Sequence, residues 1–211
     1  MSKDAAIICL IGHKNSGKST TALLLSEQRR IAEVAFADKM KQIVELVFPE
    51  DPLMKHRLYG PSSRREMPFG YRRDDGTYPT AREALTTLGD WGRALQPLLW
   101  TDLTIHDALQ AAQRRTARFL WSKPQYVVIT DGRFIREAKA VKRVGGYNIR
   151  ISRYETDSKV DKSHNSEQEQ YHPEMEPLID YTIHNPNNDH FTEDLADQIR
   201  NIIKAIEAKR E

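Results

Sequence analysis

Cysteine is nearly absent from this chain. One thiol in 211 residues, Cys9, has no partner for an internal disulfide, which points to a reducing compartment and to a fold held by its core. Long apolar runs are missing as well. The longest early one, Ala5–Ile11, falls far short of the ~20 residues that span a bilayer, and no charged-then-apolar leader precedes a cleavage site. The expectation is a soluble, cytoplasmic protein with no membrane partner. Excess charge of one sign is lacking too: 32 Lys+Arg stand against 30 Asp+Glu, a formal +2 that gives no reason to expect stable nucleic-acid binding. Hydrophobic residues reach only 39%, yet a chain this long can bury a sizeable core as one large domain, residues 1–211. A charged content of 29%, close to the ordinary ~25%, excludes disordered, collagen-like and coiled-coil classes.

What is present is unevenly placed. Residues 1–153 carry 26 basic and 16 acidic side chains, a balance of +10, and residues 154–211 carry 6 and 14, a balance of −8. Three short Ile- and Val-rich runs, Ala5–Ile11, Tyr126–Thr130 and Tyr147–Ser152, are expected as buried parallel strands. Val34–Ala37 and Tyr181–His184 are weaker candidates. Helical patterns lie between them over Lys18–Gln28, Lys39–Val47, Thr80–Leu95, Leu98–Leu120, Ile135–Val144 and Glu193–Ala208. Thr80-x-x-Glu83 is a capping-box signature, and Thr192 is a plausible N-cap. Strands alternating with helices imply parallel pairing and right-handed crossovers, hence a doubly wound α/β domain. Tyr59–Pro79, rich in Gly, Pro and Arg, reads as an excursion with a turn at Asp74-Asp75-Gly76. Arg153–Pro177 is acidic and aperiodic, and a connection of that length is usually functional.

Gly12-His13-Lys14-Asn15-Ser16-Gly17-Lys18-Ser19 fits G-x-x-x-x-G-K-[ST] without a mismatch, after an apolar strand and before a helix. Glycines let the backbone wrap a phosphate, consecutive N–H groups form an anion nest, and the helix N-terminus adds positive potential. Lys18 would reach the β- and γ-phosphates and Ser19 would place its hydroxyl on Mg²⁺.

Ligands of open α/β sheets bind beyond the carboxyl ends of the strands. Just past the five proposed strands stand Gly12, Asp38, Asp131, Arg153 and Asn185. Asp131 could orient Mg²⁺, Asp38 could hold an acceptor or cap the next helix, and Arg153 could neutralise a transferring group, with Arg133 close behind Asp131. Arg64, Arg65, Arg72, Arg73, Arg82 and Arg93 are interleaved with Phe69, Tyr71, Tyr78 and Trp91. Guanidinium forks bind phosphate and aromatic faces stack on bases, so the region suits an acceptor with both a phosphate and a ring. Nearby acids could equally balance most of these arginines on a surface loop; Arg82 and Arg93 are the better candidates.

IGHKNSGKST (11–20), FADKMK (36–41), YGPSSRRE (59–66), TAREALTTLGDWGR (80–93), VITDGRF (128–134), GGYNIRISR (145–153), HNSE (164–167) and DYTIHN (180–185) together resemble the bacteriophage-type deoxynucleoside monophosphate kinases of the P-loop kinase superfamily. The chain departs from many relatives in reading Asp131-Gly-Arg-Phe-Ile-Arg-Glu137 where they have Asp-Val-Arg-Phe-Pro-Asn-Glu. The resemblance implies a three-layer sandwich with a five-stranded parallel sheet in order 2-3-1-4-5, a helical acceptor-binding insertion over about 48–122 and a lid over about 153–177. It implies ATP and Mg²⁺, a deoxynucleoside 5′-monophosphate (dNMP) as acceptor, and commonly a homodimer. By position, Gly12, Asn15, Ser16, Gly17, Lys18, Ser19 and Thr20 would hold ATP, with Ser19 and Asp131 on the metal. Asp38, Lys41, Arg82, Trp91, Arg93 and Arg133 would meet the acceptor. Lys18, Asp38, Asp131, Arg133 and Arg153 would carry the reaction.

Three other readings compete. A kinase for another phosphorylated small molecule, such as phosphomevalonate, shares the phosphate loop. A GTPase-type switch would show Asn-Lys-x-Asp after a late strand, where this chain has His184-Asn185-Pro186-Asn187. Arg114, Arg115 and Arg118 beside Trp121 could touch nucleic acid, although an exposed helix end explains them as well.

Overall fold

A computed structural model describes residues 4–70, 72–114, 122–153, 169–186 and 191–210. The chain forms two compact units, Met1–Ala35 with Ile105–Glu211, and Phe36–Thr104. Among the described residues no helix is long and apolar enough to cross a membrane.

The first unit is built on strands β1 (Ala6–Ile11), β2 (Ile31–Val34), β3 (Tyr126–Gly132), β4 (Tyr147–Ser152) and β5 (Tyr181–His184). They form one sheet in order β2-β3-β1-β4-β5 with every pair parallel, the order the resemblance implies. Every residue of β1 is buried because it is the central strand, covered on both faces, which is why its sequence is continuously apolar. Helices α1 (Lys18–Gln28) and α7 (Phe191–Arg210) pack Leu24, Leu25, Leu195, Ile199 and Ile203 against Ile8, Leu10, Val128 and Ile151. Each such side chain contributes ~1.5–3 kcal/mol by leaving water. Helix α6 (Ile135–Arg143) buries Ala138, Ala140 and Val141, and Asn148 of β4 donates its side-chain amide to Ala138 O at 3.0 Å.

Several boundaries differ from the sequence expectation. The second strand runs over Ile31–Val34 rather than Val34–Ala37, because Ile31 is buried opposite Tyr126 while Glu33 faces solvent at the sheet edge. Helix α7 begins at Phe191, so Thr192 lies inside it and does not cap it. Strand β3 also runs on to Gly132, because a register shift between Cys9 and Ile11 sets Gly132 opposite Ile11.

The second unit holds α2 (Asp38–Val47), α3 (Met54–Tyr59), a 3₁₀ turn (Ser62–Glu66) and α4 (Ala81–Leu95), and ends within α5 (Leu99–Gln113). Its core is Val44, Met54, Leu58, Phe69 and Ala81, with Phe48 and Phe69 edge-to-face at 4.8 Å. Arg57, nearly buried, is neutralised by Asp51 at 2.6 Å. Thr80 caps α4 as expected, accepting from Glu83 N at 3.2 Å while Glu83 accepts from Thr80 N at 2.8 Å. The turn at Asp74-Asp75-Gly76 is also found, with Gly76 at φ 85° and Thr77 N donating to Asp75 at 2.9 Å.

Candidate active site

In the first unit, β1 delivers the chain into Gly12, where a Cβ would stand 2.6 Å from Ile151 O. Only glycine lets the backbone turn so close to β4. Asn15 and Gly17 adopt left-handed φ values of 65° and 108°, and these alternations fold the loop back toward α1. Ser16 is fully buried, and its Oγ has no hydrogen-bond partner among the described residues. An orphaned buried hydroxyl costs ~1–3 kcal/mol, a cost recovered when a ligand oxygen supplies the missing partner. Lys18 folds its ammonium over the loop, donating to Gly12 O at 2.5 Å and His13 O at 2.6 Å. The first turn of α1 carries no acid, so no internal carboxylate competes for its N-terminal amides.

Beside this loop lies a cleft of about 460 Å³ lined by Asn15, Gly17, Lys18, Ser19, Thr20, Arg153 and Asn185. Arg153 donates to Asn15 O at 3.2 Å, placing its guanidinium at the rim. Asn185, at the end of β5, donates its side-chain amide to Ser16 O at 3.1 Å. A concave, basic cleft at a helix N-terminus, with an orphaned buried hydroxyl beside it, fits a polyphosphate.

At the exit of β3, Asp131 and Gly132 lead into a turn held by the buried Glu137. One oxygen of Glu137 accepts from Arg133 N at 2.8 Å and Phe134 N at 3.0 Å. Burial pushes the Glu137 carboxyl up to about 8 against the pull of those two amides, and the charge of Asp131 adds to the rise. Cys9 lies directly beneath, since a Cβ on Gly132 would meet its sulfur at 2.5 Å. Burial, with Glu137 and Asp131 nearby, holds its thiol well above the ordinary range, so Cys9 is an inert packing residue.

In the second unit, Asp38 and Lys41 share the first turn of α2 and pair at 3.1 Å. The Lys41 ammonium also stands 5.3 Å from the centre of the Tyr59 ring. Burial, then Glu45 and Asp38, raises the Tyr59 phenol above its usual value, so it stays protonated at neutral pH. On α4, Arg93 pairs with Asp90 at 2.5 Å and lies over Gly89, where a Cβ would be 3.3 Å from Arg93 Nη1 and from Met40 Sδ. Arg93 thus reaches the same α2 turn as Asp38 and Lys41. Arg82 pairs with Glu66.

No protein-family model matches the chain. Over 155 residues, 70% of this chain and 74% of the relative, it is 33% identical to the "Putative deoxynucleotide monophosphate kinase" of Acanthamoeba polyphaga mimivirus. The chain belongs to the deoxynucleotide monophosphate kinase family. This kinase has the architecture of TT1252 from Thermus thermophilus, with a TM-score of 0.50 at 14% identity over 96% of this chain and 98% of the other. The dephospho-CoA kinase of Campylobacter jejuni aligns over 97% of this chain and 98% of its own, with a TM-score of 0.48 at 15% identity. The family makes the protein a phosphotransferase.

In this kinase, the loop residues from Gly12 to Thr20 and Arg153 fall together in the first unit, and Asp131 and Arg133 sit at the β3 exit of the same unit. Asp38 and Lys41 pair in the second, where Arg93 lies beside Met40 of the same helical turn. Trp91 does not join them: nine residues after Arg82 on a 3.6-residue turn, it points about 180° away and is largely exposed. Arg72 and Arg73 are occupied in the hairpin loop, donating to Gly76 O at 2.9 Å and Glu83 at 3.3 Å. Arg115, Arg118, Trp121 and His164–Glu167 lie outside the described residues. Asn185 was legible only as a strand end, because its partner Ser16 is distant in sequence. Glu137 was legible only as the last letter of a motif, because its partners are backbone amides of its own turn.

Proposed function

We propose that the protein transfers the γ-phosphoryl group of ATP to a deoxynucleoside 5′-monophosphate, giving a deoxynucleoside diphosphate and ADP. The observation that supports this most is the pairing of two different anion-binding sets in one chain. The first unit offers a phosphate loop with a buried, unpartnered Ser16 hydroxyl. The second offers Lys41, paired with Asp38 on α2, and Arg82 and Arg93 on α4, cationic groups suited to a second phosphorylated substrate.

In this reading the loop amides and Lys18 bind the triphosphate, and Arg153 adds positive charge at the rim. Ser19 and Asp131 would hold Mg²⁺, which when bound neutralises phosphate charge. Lys41 and Arg93 hold the acceptor's phosphate, Asp38 keeps Lys41 oriented, and Tyr59 offers an aromatic wall. Arg133 is held on a braced turn beside Asp131, ready to meet developing negative charge. The acceptor's phosphate oxygen bonds to the γ-phosphorus as the bond to the β,γ-bridging oxygen breaks, so the chain itself needs only to position and to stabilise charge. The second unit serves as the acceptor-binding insertion. Of the expected lid over Arg153–Pro177, the part from Glu169 onward is docked on α6 and β4, and residues 154–168 lie outside the described residues.

Measuring ADP release with the four dNMPs, the corresponding ribonucleotides and phosphomevalonate tests the reading. At least one dNMP should turn over well above phosphomevalonate. Turnover with phosphomevalonate alone, or ATP hydrolysis indifferent to every acceptor, overturns it.

A further inference from the structure

Three consecutive backbone amides follow Asp131 and Gly132 where β3 turns into α6, and carboxyl groups take all three. Arg133 N and Phe134 N donate to Glu137 at 2.8 and 3.0 Å, and Ile135 N donates to Glu169 at 3.0 Å. Glu137 is local to the turn. Glu169 comes from beyond β4, in a stretch that is firmly docked. Met175 in that stretch is fully buried, Glu174 pairs with Lys139 at 2.8 Å, and Glu176 pairs with Arg150 at 2.6 Å. Asn148 donates to Leu178 O at 3.0 Å, and Asp180 pairs with Lys142 at 2.6 Å. Glu169 therefore reaches the turn from a fixed base.

Successive open amides at a helix N-terminus attract anions. This set stands beside the phosphate loop, since Gly132 is paired with Ile11, the residue before Gly12. With both carboxyl groups in place the amides are satisfied, and the turn is fixed at each end.

We infer that Glu169 is a positioning residue for phosphoryl transfer, closing with Glu137 the amides of residues 133–135 and so fixing the turn that presents Asp131 and Arg133. This rests on the functional reading above. The test compares Glu169→Ala and Glu169→Gln with Glu174→Ala, which removes a surface pair of the same stretch without touching the turn. Each variant is measured for kcat and KM with ATP and a dNMP, for thermal midpoint, and for amide exchange of the peptide containing residues 133–135. Glu169→Ala should lower kcat about tenfold with the KM for ATP little changed, since misplacing a charge-stabilising group acts on the transition state. It should also speed exchange at the turn. Glu169→Gln keeps an acceptor oxygen and should recover most of the kcat, and Glu174→Ala should resemble wild type in both readouts. Unchanged exchange in Glu169→Ala, an unchanged kcat, or an equal loss in Glu174→Ala overturns the inference. If wild type itself transfers nothing to any dNMP, the acceptor reading fails separately, and exchange at residues 133–135 then decides the clamp.

Discussion

Asn185 donates its side-chain amide to Ser16 O at 3.1 Å, and the same nitrogen stands 2.7 Å from where a Cβ on Gly17 would be. The end of β5 therefore braces the phosphate loop from behind, and the bond is buried. Removing it leaves the Ser16 carbonyl without that donor, a loss of ~1–3 kcal/mol. Asn185→Ala should weaken ATP binding about tenfold, read by calorimetry or as KM for ATP, with a smaller effect on the acceptor's KM. Equal changes in both KM values would assign Asn185 to general stability instead.

Lys18 is held by two carbonyl oxygens of its own loop, at 2.5 and 2.6 Å, while the hydrophobic packing of β1 and α1 does not involve it. Lys18→Ala should therefore lower turnover by ~10²-fold or more, the scale seen when one preorganised charge donor is removed. The thermal midpoint should hardly move. Unchanged turnover would remove the phosphate loop from the reaction.

Gly92 lies against the indole of Trp100, and a Cβ there would fall 2.6 Å from Trp100 Nε1, whose hydrogen is already given to Gly89 O at 3.0 Å. Gly92→Ala should cost ~1–3 kcal/mol by overpacking. Thermal melts and Trp fluorescence would report the displaced ring. A variant as stable as wild type would mean that Trp100 swings away freely.

The Trp91-Gly92-Arg93 run shows what the sequence could and could not reveal. Read linearly, its tryptophan and arginine belong to one phosphate-and-base site, yet helix geometry turns them to opposite faces and leaves the middle glycine as the packing residue. The three inner strands were legible because short Ile- and Val-rich runs are buried there, and the phosphate loop because its constraints are local. The position of β2 was not, since an edge strand with an exposed Glu33 carries little periodic signal. Glu137 and Glu169 were hidden for another reason: carboxyl groups that accept from backbone amides leave no complementary residue in the sequence to mark them.

Glu137 carries the clearest pH dependence. Its ordinary value is 4.5, and burial raises it to about 8 in the folded protein. Between those values the folded chain keeps a proton that the unfolded chain has released. The stability this carboxyl contributes is thus fully present below about pH 4.5 and is lost as pH rises through about 8. The groups facing it are consistent with this direction: Asp131 opposes ionisation, while the amides of Arg133 and Phe134 and the charge of Arg136 favour it more weakly than burial opposes it. Glu137→Gln keeps a carbonyl oxygen for both amides but cannot ionise. Its thermal midpoint should stay flatter than that of wild type between about pH 5 and 8, and exceed it at the upper end. Parallel melting profiles for the two proteins would show that Glu137 is already ionised in the fold, and that the two amide bonds outweigh its burial.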